Sequence, residues 1–244
     1  MNKVFLKVST FLLSLILLLA ILPSPTPGED KKLENSKKVI ILISDYIDSS
    51  DLINARTPNL NALLHKSGSG LMNIRAKNRN PASSYMSLAT ASRGETIQNA
   101  GLSYNSQELV NYLPGFMEDK STSPPQAGAL FSMFTASNPP PDGVVNLFIE
   151  PSRKYAASYN PSYQVGSLGL EARELGLRMA VLGNSDTRYA ICRDAVILAM
   201  DEKGIVPSGN VSQELLDPAP YRAGGLQSNH ERMIENMNSL LETS

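Results

Sequence analysis

Asp45 is the residue whose place in the sequence points most directly to chemistry. It closes the run Val39-Ile40-Ile41-Leu42-Ile43-Ser44. Five consecutive apolar residues, most of them β-branched, predict a strand buried on both faces. In open α/β sheets, ligands bind just beyond the carboxyl ends of the strands. A carboxylate there is placed to hold a metal ion or to exchange a proton. The bland alternative is an aspartate that caps the next turn. Asp186 and Asp201 stand after the apolar runs Leu177–Leu182 and Ala195–Met200 and pose the same choice between cation binding and capping. The remaining chemistry-bearing types are scarce. The chain has two histidines, His65 and His230, and one cysteine, Cys192. A lone cysteine forms no internal disulfide and no zinc cluster. Cys192 precedes an apolar run and reads as packing.

These residues need elements to position them. Thr57 is a good N-cap and Pro58 suits the first helical position, so Thr57-Pro58-Asn59-Leu60 opens a helix with Leu60, Leu63 and Leu64 on one face. A second strand is expected at Gly70–Arg75, and the polar loop Asn78–Ser84 leads into a small-residue helix, Tyr85–Ala91. The stretch from about Ser121 to Pro161 is rich in proline, serine and asparagine and reads as an excursion from the sheet. Tyr155, Tyr159 and Tyr163 recur every four residues, but Pro161 argues against a regular helix there, so they read as loop packing. Val165–Leu175 predicts a helix with Gly176 as its C-terminal stop. Leu177–Leu182 and Ala195–Met200 predict strands, and His230–Leu241 a helix with Met233 and Met237 on one face. Alternating strands and helices predict an α/β fold with a mostly parallel sheet covered by helices on both faces.

The N-terminus has a different character. Lys3 and Lys7 precede an apolar stretch from Val8 to Leu22, followed by Pro23-Ser24-Pro25-Thr26-Pro27-Gly28. Residues 1–28 therefore predict a signal peptide or a membrane anchor, and residues 29–38 a polar linker. Either outcome leaves residues 39–244 outside the cytoplasm, secreted or anchored through the N-terminal segment. The formal net charge of −1 gives no general affinity for nucleic acid. No Walker loop, G-x-G-x-x-G or G-x-S-x-G occurs. Asn210-Val211-Ser212 matches a glycosylation sequon, as many short stretches do by chance.

Val39–Asp45, the Thr57-Pro58-Asn59-Leu60 helix start and the loop-helix Asn80–Arg93, taken in order, resemble the opening of the alkaline phosphatase superfamily. That group includes phosphodiesterases, sulfatases and cofactor-independent phosphoglycerate mutases. Gly169–Asp201 is similar to a bacterial membrane-associated branch of it. The resemblance implies an alkaline phosphatase-like fold and phosphate- or sulfate-ester hydrolysis. It also implies zinc, manganese or magnesium, with two cations about 4 Å apart clamping the attacking and leaving oxygens. By position, Asp45 matches the first metal ligand, although Tyr46 replaces the usual following glycine. The family hydroxyl falls near Asn80 or Pro81, so Ser83 and Ser84 are the candidate nucleophiles, with helix capping as their alternative role.

The superfamily completes its metal site with downstream aspartates and histidines spaced D-x-x-x-H and D-H. His65 lies in the first amphipathic helix, and His230 has no acidic partner at the matching spacing. The resemblance thus implies a truncated or degenerate member with an incomplete metal site. The alternatives are a non-catalytic extracytoplasmic scaffold, or an unrelated α/β ligand-binding domain.

Overall fold

The computed structural model describes residues 38–44, 47–70, 72, 76, 78, 80–111, 113, 123–159 and 163–242. The chain divides into two units, Met1–Ala55 and Arg56–Ser244.

In the first unit, Val39–Ile43 does not form the expected buried strand. Val39 is 85% exposed and Leu42 89%, and no pairing involves the segment among the described residues. The segment is followed by helix α1, Ser49–Asn54. Asp48 caps it: its Oδ1 accepts from the Ser50 and Asp51 amides at 2.7 and 3.0 Å, while Asp51 Oδ2 accepts from the Asp48 amide at 3.1 Å. This reciprocal box satisfies donors that a short helix would otherwise leave open.

The second unit begins with α2, Pro58–Leu64, as the Thr57-Pro58 signal predicts, though Thr57 makes no side-chain cap bond and none of the helix is buried. Helix α3, Pro81–Thr90, follows, with Tyr85, Met86 and Ala89 in the core. The predicted strand at Gly70–Arg75 falls largely outside the described residues.

The core forms around three short antiparallel strands in the order β1 (Ser103–Asn105), β2 (Val144–Asn146), β4 (Ile205–Val206). Tyr104 faces Val145 across β1 and β2, and Val144 faces Val206 across β2 and β4. Strand β2 is central, and all three of its residues are fully buried. It belongs to the proline- and serine-rich stretch expected to leave the sheet. The same stretch supplies α4, Ala127–Thr135, and α5, Ile149–Tyr159, which add Leu130, Phe131 and Ile149 to the core. Its prolines punctuate short elements, so composition was a poor guide to placement. Tyr155 and Tyr159, expected in a loop, both lie on α5, which runs regularly as far as Tyr159, and Tyr163 is buried.

Helix α6, Ser167–Glu174, ends as its sequence predicts. Gly176 takes φ +72°, its amide bonds Arg173 O, and the Leu177 amide bonds Ala172 O at 2.8 Å. These two bonds form the paired C-terminal closure that a left-handed glycine permits. Strand β3, Ala180–Leu182, then pairs in parallel with β5, Ser208–Asn210. Gly209 meets Val181 O so closely that a Cβ would collide with it.

Ala195–Met200, expected as a strand, contains helix α7, Val196–Ala199. A short apolar run cannot distinguish strand from buried helix by periodicity. Turn bonds from the Val196 and Ile197 amides to Arg193 O and Asp194 O start the coil, and α7 packs against α3. Strands β6, Leu216–Pro218, and β7, Leu226–Ser228, form a hairpin that leads to α8, His230–Glu242. The protein is thus mixed α/β, but its described sheets are small and mostly antiparallel. The expected large parallel sheet is not found among the described residues. It required strands at Val39 and Ala195, and neither segment forms one. Among these residues no helix is long and apolar enough to cross a membrane.

Candidate functional site

The start of α3 carries the candidate nucleophiles. Asn80 caps the helix by accepting the Ser83 amide on Oδ1 at 2.7 Å, and Pro81 occupies the first turn. The Ser83 side chain is fully buried, and its Oγ lies 3.1 Å from Thr96 Oγ1. Ser84, half-buried, donates its hydroxyl to Asn80 O at 3.3 Å. One turn on, Ser87 Oγ donates to Ser83 O and accepts the Gly94 amide at 2.9 Å. The three hydroxyls therefore tie α3 to itself and to the chain that follows it. Asp45, the expected first metal ligand, lies outside the described residues.

The other carboxylates have structural partners. Asp201 Oδ1 accepts the Lys203 and Ile205 amides, and its Oδ2 pairs with Arg173 at 2.7 Å. Arg173 also reaches Glu202, whose carboxyl falls below its usual range: burial is the largest single influence and opposes the charge, but the Arg173 hydrogen bond, a backbone hydrogen bond and the charges of Arg173 and Lys203 together outweigh it. His65 caps the end of α2, and His230 is exposed at the start of α8. Among the described residues no three His, Cys, Asp or Glu side chains are grouped to hold a metal ion. Cys192 is half-buried, and burial pushes its thiol up, with Asp194 and Asp186 adding to the shift. That agrees with a packing role.

The most elaborate polar centre was not foreseen. Arg193 is 1% exposed. Its Nε reaches Asp186 Oδ2 at 3.1 Å, and Nη2 reaches Asp186 Oδ2 at 2.9 Å and Glu108 Oε1 at 2.8 Å. Nη1 reaches Glu108 Oε2 at 2.7 Å and Ser103 O at 3.0 Å. All five guanidinium donors are used, so none is left for a ligand. Burial works against the charge of Arg193, yet the two carboxylates raise its pKa further. The guanidinium also lies 5.0 Å from the Tyr104 ring centroid. Burial pushes Tyr104 up to about 12; Arg193 opposes that shift, and Glu108 and Asp186 favour it. The cluster joins β1, the loop after β3 and the start of α7. Asp186 and Arg193 bracket one loop, and that spacing was the only clue in the sequence; nothing there singled out Glu108.

A second polar cluster surrounds the sequon asparagine. Asn210 is 8% exposed, and its Nδ2 donates to Glu214 at 2.7 Å and to Asn236 at 3.0 Å. Its Oδ1 accepts from Asn105 Nδ2 at 3.0 Å. An amide committed in this way gives no access for glycan attachment in the folded chain. Comparison with protein-family models, curated proteins and solved structures yields no match.

Proposed function

We propose that the chain is an extracytoplasmic, membrane-tethered protein of alkaline phosphatase-superfamily lineage, whose Arg56–Ser244 unit serves as a scaffold or ligand-binding module rather than as an ester hydrolase. The lineage rests on the ordered sequence blocks at Val39–Asp45, Thr57–Leu60 and Asn80–Arg93. The non-hydrolytic role rests on one observation. Ser83 is buried against Thr96, and the Ser84 hydroxyl is turned back on Asn80 O. A nucleophilic hydroxyl must face its substrate and a base or metal ion that activates it. These two face their own helix and its neighbour.

The deciding experiment incubates the full-length protein with zinc, manganese or magnesium and an aryl phosphate or aryl sulfate. The expected result is no turnover above the metal-only blank. Metal-dependent turnover that disappears in Asp45→Ala would establish the hydrolase reading instead.

A further inference from the structure

Strand β3 has one partnered edge and one open edge. The Gly183 amide donates to Asn210 O at 2.9 Å, towards β5. Along a strand, the amides and carbonyls of successive residues point to opposite sides. Gly183 and Val181 therefore address β5, and Ala180 and Leu182 turn their amides and carbonyls the other way. Among the described residues neither of these two bonds any group on that outer side, and Ala180 is exposed. A row of unpaired amides and carbonyls is a template for one more extended chain.

Helix α8 overhangs that edge. It packs on both β3 and β5. Successive residues step round a helix by about 100°, so its contacts fix which way each face points. Arg232 and Asn236 lie on the β5 side, where Arg232 donates to Glu214 O and Asn236 Oδ1 accepts from Asn210 Nδ2 at 3.0 Å. Met233, next round the helix, lies against Gly183 at the end of β3. Met237 and Ile234 follow in the same direction, beyond β3, and Ile234 is 55% exposed. Glu231 and Glu235 come after them. Among the described residues no ion pair involves either glutamate. The outer side of β3 is thus bordered by open backbone, then by apolar side chains, then by carboxylates.

Each border selects one property of an occupant. Open backbone groups call for an extended peptide, whose own amides and carbonyls complement them. Ile234 and Met237 call for apolar side chains on that peptide. The glutamates call for basic residues at its end. They also disfavour edge-to-edge pairing with a second copy, which would bring the glutamates of both copies together. We propose that the outer edge of β3 takes up an extended, apolar, lysine-bearing peptide segment of a partner as an added strand. The inference is independent of the α3 site and holds whether or not the chain hydrolyses esters.

The test is fluorescence anisotropy of the labelled peptide Lys-Lys-Val-Ile-Val-Ile-Val with the detergent-solubilised full-length protein, and empty micelles are the blank. A peptide with glutamates in place of the lysines tests the charge. Lys-Lys-Val-Pro-Val-Pro-Val, which lacks two strand donors, tests the backbone pairing. Ala180→Pro removes one outward amide at the strand edge, and Ile234→Lys places a charge on the exposed apolar face; circular dichroism confirms both folds. Arg153→Ala, on α5, is the control. The first peptide is expected to bind and to slow hydrogen exchange of the Ala180 and Leu182 amides. Both variants and both altered peptides should weaken binding about tenfold or more, and the control should leave it unchanged. Four outcomes overturn the proposal: the first peptide does not bind, it binds without protecting these amides, the glutamate or proline peptide binds as tightly, or the protein forms a dimer that Ala180→Pro dissociates.

Discussion

The start of α3 and the Arg193 cluster are both polar centres inside an apolar core, yet they are built at different ranges. At α3, Ser83 meets Thr96 across 13 residues of sequence, and Asn80 caps a helix that it immediately precedes. At Arg193, the guanidinium meets Glu108 across 85 residues and Ser103 O across 90. The first centre stabilises one helix and its loop. The second holds three distant segments at a single buried charge. The contrast separates two meanings of a polar residue in a small-residue motif. A local cluster of hydroxyls suggests a site to a reader of sequence, while the residue that organises the fold carries no motif at all.

Removing Arg193 should show that contrast most strongly. Arg193→Ala leaves Asp186 buried without its cation, and loss of one partner of a buried pair costs about 3–5 kcal/mol. Urea unfolding should register that loss; a change below about 1 kcal/mol would mean that the cluster contributes little. Ser83→Ala should cost less, about 1–3 kcal/mol, because it strands the Thr96 hydroxyl. Combining it with Thr96→Val should recover part of the cost, and a double-mutant cycle measures the coupling. Gly176→Ala forces a side chain onto φ +72° and should lower stability by about 1 kcal/mol through backbone strain alone, since no atom crowds the position.

The pH response bears on the Arg193 side of the comparison. Tyr104 is raised from 10.0 to about 12 in the fold, mainly by burial. A raised acid holds its proton more tightly when folded, so its contribution is complete below pH 10 and is lost as pH climbs towards 12. Stability should fall across that window, and Tyr104→Phe should flatten the fall. An unchanged slope would contradict the assignment.

Helix starts and stops were largely legible in the sequence. The Thr57-Pro58 start, the Gly176 stop and the amphipathic α8 depend on neighbours within a few residues, whereas α3 begins at Pro81, four residues before the start expected at Tyr85, because Asn80 caps it. Strands were not. Val39–Ile43 and Ala195–Met200 are both apolar runs, yet the first is exposed and pairs with no strand among the described residues, and the second coils into a buried turn of helix. Strand formation depends on partners elsewhere in the chain, which an apolar run does not specify. The proline-rich region concealed the central strand β2 for the same reason: Val144 and Val145 are only two apolar residues, and their burial comes from β1 and β4. At the candidate site, the sequence located the capped loop and its serines but not the direction of their hydroxyls. For Ser83 that direction is set by Thr96, on a segment with no distinguishing pattern, and for Ser84 by Asn80 O.

The most direct test of a structural role for these hydroxyls is peptide-level mass spectrometry. The full-length protein would be incubated with manganese and an aryl phosphate, then quenched in acid. The account predicts that Ser83 and Ser84 emerge unmodified. A phosphoryl group mapped to either residue would contradict it.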